Sequence, residues 1–422
     1  DENDVISYAL CVIEDPEEDN LMFLGTDDGL YVSIDAGQQW TKWTKGFPTT
    51  SVKDLVIHPR EHDLVIGTFG RAAWVLDDIR PLRAIAKDAS VLNKNIAVFS
   101  PPTAYQAAYQ QPTGSRFGGD ALFNGENRGY GARISYYFQK EETTTKTDSE
   151  ENSEENDSEE TMEEKEQGMS KDSLYMKIYD GNRLIRTLTR KKPDSTGLYT
   201  WTWYMDEAGS ARPSRSLRER KSEPGGVSVK PGTYKITLHN GDEQASTSIK
   251  VESDPRLEVP QKAINEAYSA GKQLEEMTQI AAEAVKQLVE SKETAEKLSK
   301  EMKDKDKKKY KDAIDASKEI VKKIDSVTAM YLGKIDKRQG IVRSPEPNVM
   351  TRLRTAGGYI DSRPNGLTAT ENRLIAQARE ELNAALQATN VFFAQDWPAY
   401  KATIENNEVS PFEETKTFTL KN

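Results

Sequence analysis

Two acidic and two basic side chains lie close together in the N-terminal part of the sequence and are the first candidates for chemistry. Arg71, Asp77, Asp78 and Arg80 fall between positions 71 and 80, near the ends of predicted β-strands. Glycoside hydrolysis needs paired carboxylates, and sialidase chemistry adds an arginine cluster with Tyr and Glu. The sequence does not complete either set, so we assign no catalytic residue.

The histidines and the cysteine give no catalytic or metal-binding pattern. His58, His62 and His239 form neither an HExxH zinc motif nor a triad pattern, and His58 with His62 predicts a turn pair. Cys11, the only cysteine, lies in an apolar run and predicts a small buried side chain rather than a nucleophile. EF-hand spacing is absent too. We therefore predict no cofactor and no metal site.

The segment Ser33-x-Asp35-x-Gly37-x-x-Trp40 has the residues of a tight turn between two strands. The Asp35 carboxylate can accept backbone N–H groups of its own turn, and Gly37 can take a positive φ. Trp40 then opens the next strand and buries its ring against the turn. The motif resembles the Asp-box, or BNR repeat, of β-propellers. We favour a structural turn, with an acid in a carbohydrate site as the alternative.

A repeat of 42 to 43 residues runs through residues 1–85. Leu24-Gly25-Thr26 recurs as Ile66-Gly67-Thr68, and Asp15-Pro16 is echoed by His58-Pro59. This period is the length of one four-stranded propeller blade. Propellers have about four to eight blades, and each blade buries its faces only against its neighbours. We therefore predict the last two blades of a partial β-propeller, completed by an N-terminal portion of the same precursor or by a second chain.

The middle of the chain predicts a connector followed by a small β-sandwich. Residues 86–132 are rich in breakers and aromatics, which predicts a loop-like linker; its aromatics either stack on sugars or pin the connector. Residues 133–254 contain six to seven short strands, including a hairpin at Asp180-Gly181, an immunoglobulin-like count. The acidic, low-complexity loop 141–170 has no core to bury and predicts disorder; calcium binding there is a weak alternative.

The C-terminal part has the helical period of three and four residues. Residues 256–408 predict an antiparallel bundle of four α-helices, with a capping box at Thr368 and Glu371 and an aromatic plug at one end; residues 409–422 are a tail. The plug contains Phe392, Phe393, Trp397 and Tyr400. The predicted fold class is thus multidomain, with partial propeller, sandwich and bundle.

Charge and hydropathy exclude some partners. The formal net charge is −11, and the segment 141–167, with 13 acidic residues and two lysines, accounts for all of it. An acidic balance without a basic stripe argues against nucleic acid. No apolar run is long enough to span a membrane, and the first residues are not a signal peptide, so an export signal would lie upstream.

The order of blades, aromatic linker, sandwich and helices resembles the C-terminal part of large exported bacterial proteins with a sortilin/VPS10-like BNR propeller, often labelled glycosyl hydrolases. Residues 67–78 resemble that family's last-blade signature, in which His or Tyr often replaces Phe69. Residues 197–201 and 229–238 resemble the sandwich domain named after the flagellar hook-capping protein, although Tyr204 stands near a position where that family often has Asp or Asn.

The resemblance implies an exported protein of the periplasm, the outer-membrane surface or the extracellular space of a Gram-negative bacterium. Fold does not fix activity, so two functions stay open. The first is a non-catalytic binding or scaffold protein that presents a protein or glycan ligand face. The alternative is a sialidase-like glycoside hydrolase whose active site lies mostly in blades outside this sequence.

Overall fold

The computed structural model describes residues 5–107, 128–140, 171–218, 222–335, 346–362 and 365–407. The predicted acidic loop 141–170 and the tail 409–422 lie outside these ranges. The fold is mixed, with antiparallel sheets followed by a helical region. The chain divides into two compact units, the first formed by Asp1–Met205 with Pro231–Leu257 and the second by Asp206–Lys230 with Glu258–Asn422.

Two antiparallel sheets begin the first unit. The first sheet has the strand order β1-β2-β3-β4 and the second has the order β5-β6-β7. The strands are β1 (Ala9–Glu14), β2 (Met22–Thr26), β3 (Leu30–Ser33), β4 (Thr41–Lys42), β5 (Val52–Ile57), β6 (Leu64–Thr68) and β7 (Ala73–Leu76). Side chains from both sheets form one apolar core between them. Its most buried members include Leu21, Phe23, Leu30, Val52, Leu64 and Ile66.

The sequence repeat is also a repeat of hydrogen bonds. The N–H of Thr26 donates to the carbonyl of Gly29 at 2.9 Å, and the N–H of Thr68 donates to the carbonyl of Ala72 at 3.1 Å. The loop between β6 and β7 is one residue longer than the loop between β2 and β3. The offset between equivalent residues of the two sheets therefore changes from 42 to 43 residues across this loop. The predicted period is thus confirmed as a structural equivalence between the two sheets.

The segment after β7 is more ordered than its breakers predict. A loop-like linker is expected over 86–132, but its described part contains a 3₁₀ turn and two strands, and a helix that begins within the predicted blades reaches its start. These are α1 (Arg80–Lys87), the turn Ala89–Asn93, β8 (Ile96–Val98) and β9 (Ala104–Gln106). Both strands have three residues and pair with strands far along the chain, β8 with β10 (Ala132–Phe138) and β9 with β17 (Glu243–Ser253). Such short strands depend on their partners, which local sequence does not show.

Two further sheets complete the first unit, in the order β13-β10-β8 and β12-β11-β16-β17-β9. Trp203 of the smaller sheet is fully buried and contacts Tyr234 of the larger sheet, with ring centroids 5.5 Å apart. The hairpin at Asp180-Gly181 is confirmed, and Gly181 has φ +59°. The added strands are β10 (Ala132–Phe138), β11 (Ser173–Asp180), β12 (Arg183–Lys191), β13 (Gly197–Trp203), β16 (Gly232–Asn240) and β17 (Glu243–Ser253).

The second unit consists of a two-stranded ribbon and a set of helices. The ribbon pairs β14 (Asp206–Ala208) with β15 (Gly225–Ser228). The helices are α2 (Gln261–Asp306), α3 (Lys311–Leu332), α4 (Val349–Asp361), α5 (Ala369–Val391), a π turn (Phe392–Asp396) and α6 (Trp397–Glu405). Their apolar stripes share one core, with Val285, Ile324, Ala356 and Ala378 among its fully buried members.

Local signals predict the helix ends correctly. The capping box is confirmed, since the N–H of Thr368 donates to Glu371 at 2.8 Å and the Thr368 side chain caps α5. The aromatic plug is also confirmed, since Phe392 and Trp397 have ring centroids 6.2 Å apart and Tyr400 lies 5.3 Å beyond Trp397. Among the described residues, no helix combines the length and the apolar character needed to cross a membrane.

Candidate functional site

The Asp-box residues form a closed turn between β3 and β4. The Ser33 hydroxyl donates to Asp35 Oδ1 at 2.7 Å, and the N–H of Gln39 donates to the same oxygen at 2.9 Å. These bonds, from Gln39 and then Ser33, lower the pKa of Asp35. Gly37 has φ +84°, and a methyl group there would lie 3.5 Å from the Trp40 ring. The Asp35 carboxylate is therefore engaged by its own turn, as the structural interpretation predicts.

The paired carboxylates after β7 are bound by arginines. Asp78 accepts from the Nε of Arg80, and Asp77 accepts from Arg133 at 2.7 Å and from Arg128 at 3.4 Å. A glycosidase pair needs one carboxyl group that can hold a proton and one that can face the substrate. Here both carboxylates are already occupied by guanidinium groups. The arrangement therefore suits an ion-pair network better than acid–base chemistry.

Arg128 is the centre of that network. It also pairs with Glu61 at 3.0 Å and with Asp63 at 2.5 Å. Burial opposes the charged form of Arg128, but Asp63 and then Asp77 raise its pKa. Together with Arg133 on β10, it joins the end of the second sheet to the next part of the first unit. No local pattern singles out Arg128, because its partners lie 51 to 67 residues away.

A second ion-pair cluster is buried and has no local signal either. Arg83 on α1 contacts Asp15 through Nε at 2.8 Å to Oδ1 and 2.9 Å to Oδ2. Arg83 also pairs with Glu17 at 2.9 Å and contacts Nδ1 of His62 at 2.7 Å. The Asp15 side chain is fully buried. The contact spans 68 residues of sequence, so only the fold reveals it.

The two N-terminal histidines belong to a turn, as predicted. The N–H of His62 donates to the carbonyl of His58 at 2.9 Å, and His58 Nδ1 accepts from the N–H of Glu61 at 3.1 Å. In the same way, Asp15 Oδ1 accepts a hydrogen bond from the N–H of Glu18 at 3.0 Å. The Asp15-Pro16 and His58-Pro59 dipeptides thus start equivalent turns in the two halves of the repeat.

Cys11 and His239 lie in protected places without a reactive partner arrangement among the described residues. Cys11 is half-buried in the core between the sheets, and burial raises the pKa of its thiol, which disfavours the nucleophilic thiolate. His239 lies on β16, where burial and then Lys177 lower the pKa of its imidazole. Of the linker aromatics, Tyr105 and Tyr130 are exposed; Tyr109, Phe117 and Phe123 lie outside the described residues.

The strongest surface feature is a pair of apolar rows on the outer sides of the two N-terminal sheets. In each sheet, three cross-strand neighbours share a face. The rows that face the core are the inner rows, Ile13, Phe23 and Val32 in the first sheet and Leu55, Ile66 and Trp74 in the second. The outer rows are Val12, Leu24 and Tyr31 in the first sheet and Val56, Val65 and Val75 in the second.

Two of the three outer-row residues of the second sheet are exposed, but only Val12 is exposed in the outer row of the first sheet. Val56 and Val75 are 53% and 56% exposed. Val12 is 58% exposed, whereas Leu24 and Tyr31 beside it are already covered, and Lys42 lies over the Tyr31 ring. Phe23 of the inner row is fully buried. Exposed β-branched residues in a row mark a surface that is suited to contact with another sheet.

By the sequence repeat, the inner row of the first sheet corresponds to the outer row of the second sheet. The outer row of the first sheet corresponds in turn to the inner row of the second. Adding 42 or 43 residues carries Phe23 and Val32 onto Val65 and Val75, and it carries Val12 onto Leu55. The two sheets therefore pack head to tail, with unlike faces in contact. Exposed side chains remain on the outer row of each sheet, Val12 on the first and Val56 with Val75 on the second.

The ribbon of the second unit is fixed to α2 by a polar cluster. Glu207 is buried and accepts from the Tyr268 hydroxyl at 2.7 Å and from Lys272 at 3.3 Å. Glu275 accepts from the N–H of Val227 at 2.7 Å. Each of these groups already has a protein partner, which indicates a structural joint rather than a binding site.

The described residues contain no group of three or more His, Cys, Asp or Glu side chains that could hold a metal ion. Comparison of the chain with models of known protein families, with curated proteins and with solved structures finds no match.

Proposed function

We propose that this chain is a non-catalytic part of a larger β-propeller protein of the cell envelope. In that protein it supplies the last two blades and helps present a protein or glycan ligand face. The observation that carries the proposal is the head-to-tail contact between the two N-terminal sheets. Each sheet buries one face against an unlike face of its neighbour, and exposed valines remain on the opposite faces, Val12 on the first sheet and Val56 with Val75 on the second.

Head-to-tail contacts do not end with two members. A heterologous interface produces a ring when its rotation closes and an open array when it does not. In a propeller, every blade buries both faces only after the ring is complete. Further sheets from the same precursor or from a second chain would cover Val12 at one end and Val56 with Val75 at the other.

The immunoglobulin-like and bundle assignments belong to the same proposal. Two sheets in contact through Trp203 and Tyr234 support a sandwich, and the shared helical core supports a bundle. Both would serve as spacers or docking modules beside the propeller. The relation to sortilin/VPS10-like BNR proteins, and with it export from a Gram-negative cell, rests on the motifs of the sequence.

The geometry favours a scaffold over a glycoside hydrolase. Asp35 is held by its turn, and Asp77 and Asp78 are paired with arginines. Neither Asp77 nor Asp78 stands open for the proton transfers that glycoside hydrolysis requires.

Charge placed on the open faces tests the proposal. Val56→Glu and Val12→Glu should each abolish association with the polypeptide that supplies the other sheets, because a carboxylate cannot be buried there without a partner. Leu184→Glu is the matched control, since Leu184 is 47% exposed on β12, away from both faces. Native mass spectrometry of the tagged chain from its own cells measures the association.

A mass of one chain alone, or a complex equally stable in all three variants, would reject the proposal. Glycan or peptide turnover by the assembled protein that disappears when Asp77 and Asp78 become Asn would reject its non-catalytic part. Ligand binding without turnover is the expected result.

A further inference from the structure

The connection between α2 and α3 carries a dense group of lysines, residues 303–311, which we call the lysine tip. It contains six lysines against two aspartates. Helix α2 ends at Asp306 and α3 begins at Lys311, so the tip lies at one end of the helical pair. Its exposed lysines are Lys303, Lys305, Lys307, Lys308, Lys309 and Lys311. Positive charge is thus concentrated at one place in a chain whose formal net charge is −11.

The tip differs from the rest of the two helices in how its lysines are neutralised. Away from the tip, exposed lysines have a carboxylate about one helical turn away. Pairs of this kind are Lys262 with Glu266 at 3.8 Å, Lys286 with Glu290 at 3.9 Å and Lys322 with Glu319 at 2.7 Å. Within the described ranges, no carboxylate oxygen lies within 4 Å of the ammonium groups of Lys303, Lys307, Lys308, Lys309 or Lys311. Their mutual repulsion is therefore not offset by ion pairs in this part of the chain.

The aspartate at the end of α2 holds the turn instead of neutralising a lysine. Asp306 Oδ1 accepts from the N–H of Lys308 at 2.9 Å and from the N–H of Lys309 at 3.0 Å. These bonds, from Lys309 and then Lys308, lower the pKa of Asp306. The turn that they close carries Lys307, Lys308 and Lys309 in succession, all exposed. The charge is therefore displayed on a turn of defined shape.

The tip offers charge and no apolar surface. Met302 and Tyr310, the apolar residues that flank the turn, are buried in the helical core. Lys309 Nζ lies 5.1 Å from the centre of the Tyr310 ring. Protein–protein interfaces are held by aromatic and apolar centres, and single-stranded nucleic acid stacks on aromatic side chains. The tip has neither, so its partner is recognised through negative charge alone.

The length of α2 separates the tip from carboxylates at the other end of the helix. A helix of 46 residues is about 69 Å long, and charge interactions in water fade over about 8 Å at physiological salt. Glu266, near the start of α2, is thus screened from anything that the tip contacts. A short exposed turn can place several lysines against a flat surface at once. The headgroup layer of an anionic membrane is such a surface.

We propose that the lysine tip binds the headgroup layer of an anionic phospholipid membrane and docks the second unit there without insertion into the bilayer. Lysine ammonium groups contact lipid phosphates as compact point charges. Each lysine near such a surface strengthens binding about fivefold. The tip belongs wholly to the second unit, so this binding does not depend on the propeller assignment.

Sedimentation of the full chain with lipid vesicles measures this binding. The chain should bind vesicles of equal parts phosphatidylglycerol and phosphatidylcholine, and about 1 M salt should release it, because screening then acts within about 3 Å. Lys307→Gln, Lys308→Gln and Lys309→Gln together remove three charges and should weaken binding about 100-fold. Arg at the same three positions keeps the charge and should leave binding within about twofold of that of the parent chain.

The matched control removes three charges away from the tip. Lys262→Gln, Lys286→Gln and Lys322→Gln together change the net charge of the chain equally and should leave binding within about twofold. No binding to the anionic vesicles, equal binding to phosphatidylcholine alone, or equal losses in the two Gln variants would overturn the proposal. Binding that survives about 1 M salt would also overturn it. Tighter binding to a DNA duplex than to the anionic vesicles would assign the tip to nucleic acid and reject the membrane.

Discussion

Removal of Arg83 should destabilise the N-terminal sheets more than any surface change. Arg83→Met keeps much of the aliphatic volume but leaves the fully buried Asp15 carboxylate without its counter-charge. Breaking a buried ion pair from one side costs about 3–5 kcal/mol. The N–H groups of Glu17 and Glu18 still bind Asp15 Oδ1 at 3.0 Å, so the lower end applies. A loss of about 3 kcal/mol corresponds to a roughly 100-fold rise in the opening equilibrium.

Hydrogen exchange by mass spectrometry measures this effect locally. Peptides that cover residues 21–33 report on β2 and β3. The protection of these strands from exchange should fall by the roughly 100-fold rise in the opening equilibrium. The double variant Asp15→Asn with Arg83→Met is the control, since Asn keeps an oxygen for the two N–H groups and removes the charge. We expect it to recover about 2 kcal/mol. A loss below about 1 kcal/mol in Arg83→Met, or no recovery in the double variant, would refute the argument.

Two further predictions concern the last turn of the first unit and the ribbon of the second. Hydrogen bonds from Arg256 lower the pKa of Asp254 to about 2. The stabilising effect of the Asp254 carboxylate is therefore present above about pH 4 and disappears as the pH falls through 2. Exchange of the Leu257 amide should show this dependence on pH, and Asp254→Asn should remove it. Gly209→Ala would place a methyl group 2.3 Å from the Gly225 carbonyl oxygen and should cost about 1–3 kcal/mol. Gly358→Ala, with nothing within 4 Å, should stabilise helix α4 by about 0.5–1 kcal/mol, so thermal unfolding of the two variants should shift in opposite directions.

Features that depend on neighbours in sequence could be predicted. The capping box at Thr368, the hairpin at Gly181 and the turn at Asp35 each depend on residues within a few positions. The helical stripes were also readable, because their core positions recur every three or four residues. The repeat offset, which needs only the spacing of similar residues, correctly pairs the equivalent strands of the two N-terminal sheets.

Features that depend on distant partners could not be predicted. The contact of Arg83 with Asp15 spans 68 residues, and β9 gains its identity only beside β17. Asn348 caps α4 together with Thr351, and this signal is local but is not among the features predicted from the sequence. The outer rows of the two N-terminal sheets could not be predicted either. The repeat shows that the two sheets are equivalent, but only the strand register shows which side chains form the outer row of each sheet.

The exposed valines of the two N-terminal sheets have a consequence for how the protein is made. A chain released alone would expose Val12, Val56 and Val75 beside the strand Ala73–Leu76, which has no charged residue. Copies could then add without limit, and the product would be an insoluble polymer rather than a defined complex. Under the proposed function, synthesis of this chain would have to keep pace with that of the polypeptide that supplies the other sheets, and any surplus would become a substrate for chaperones and proteases.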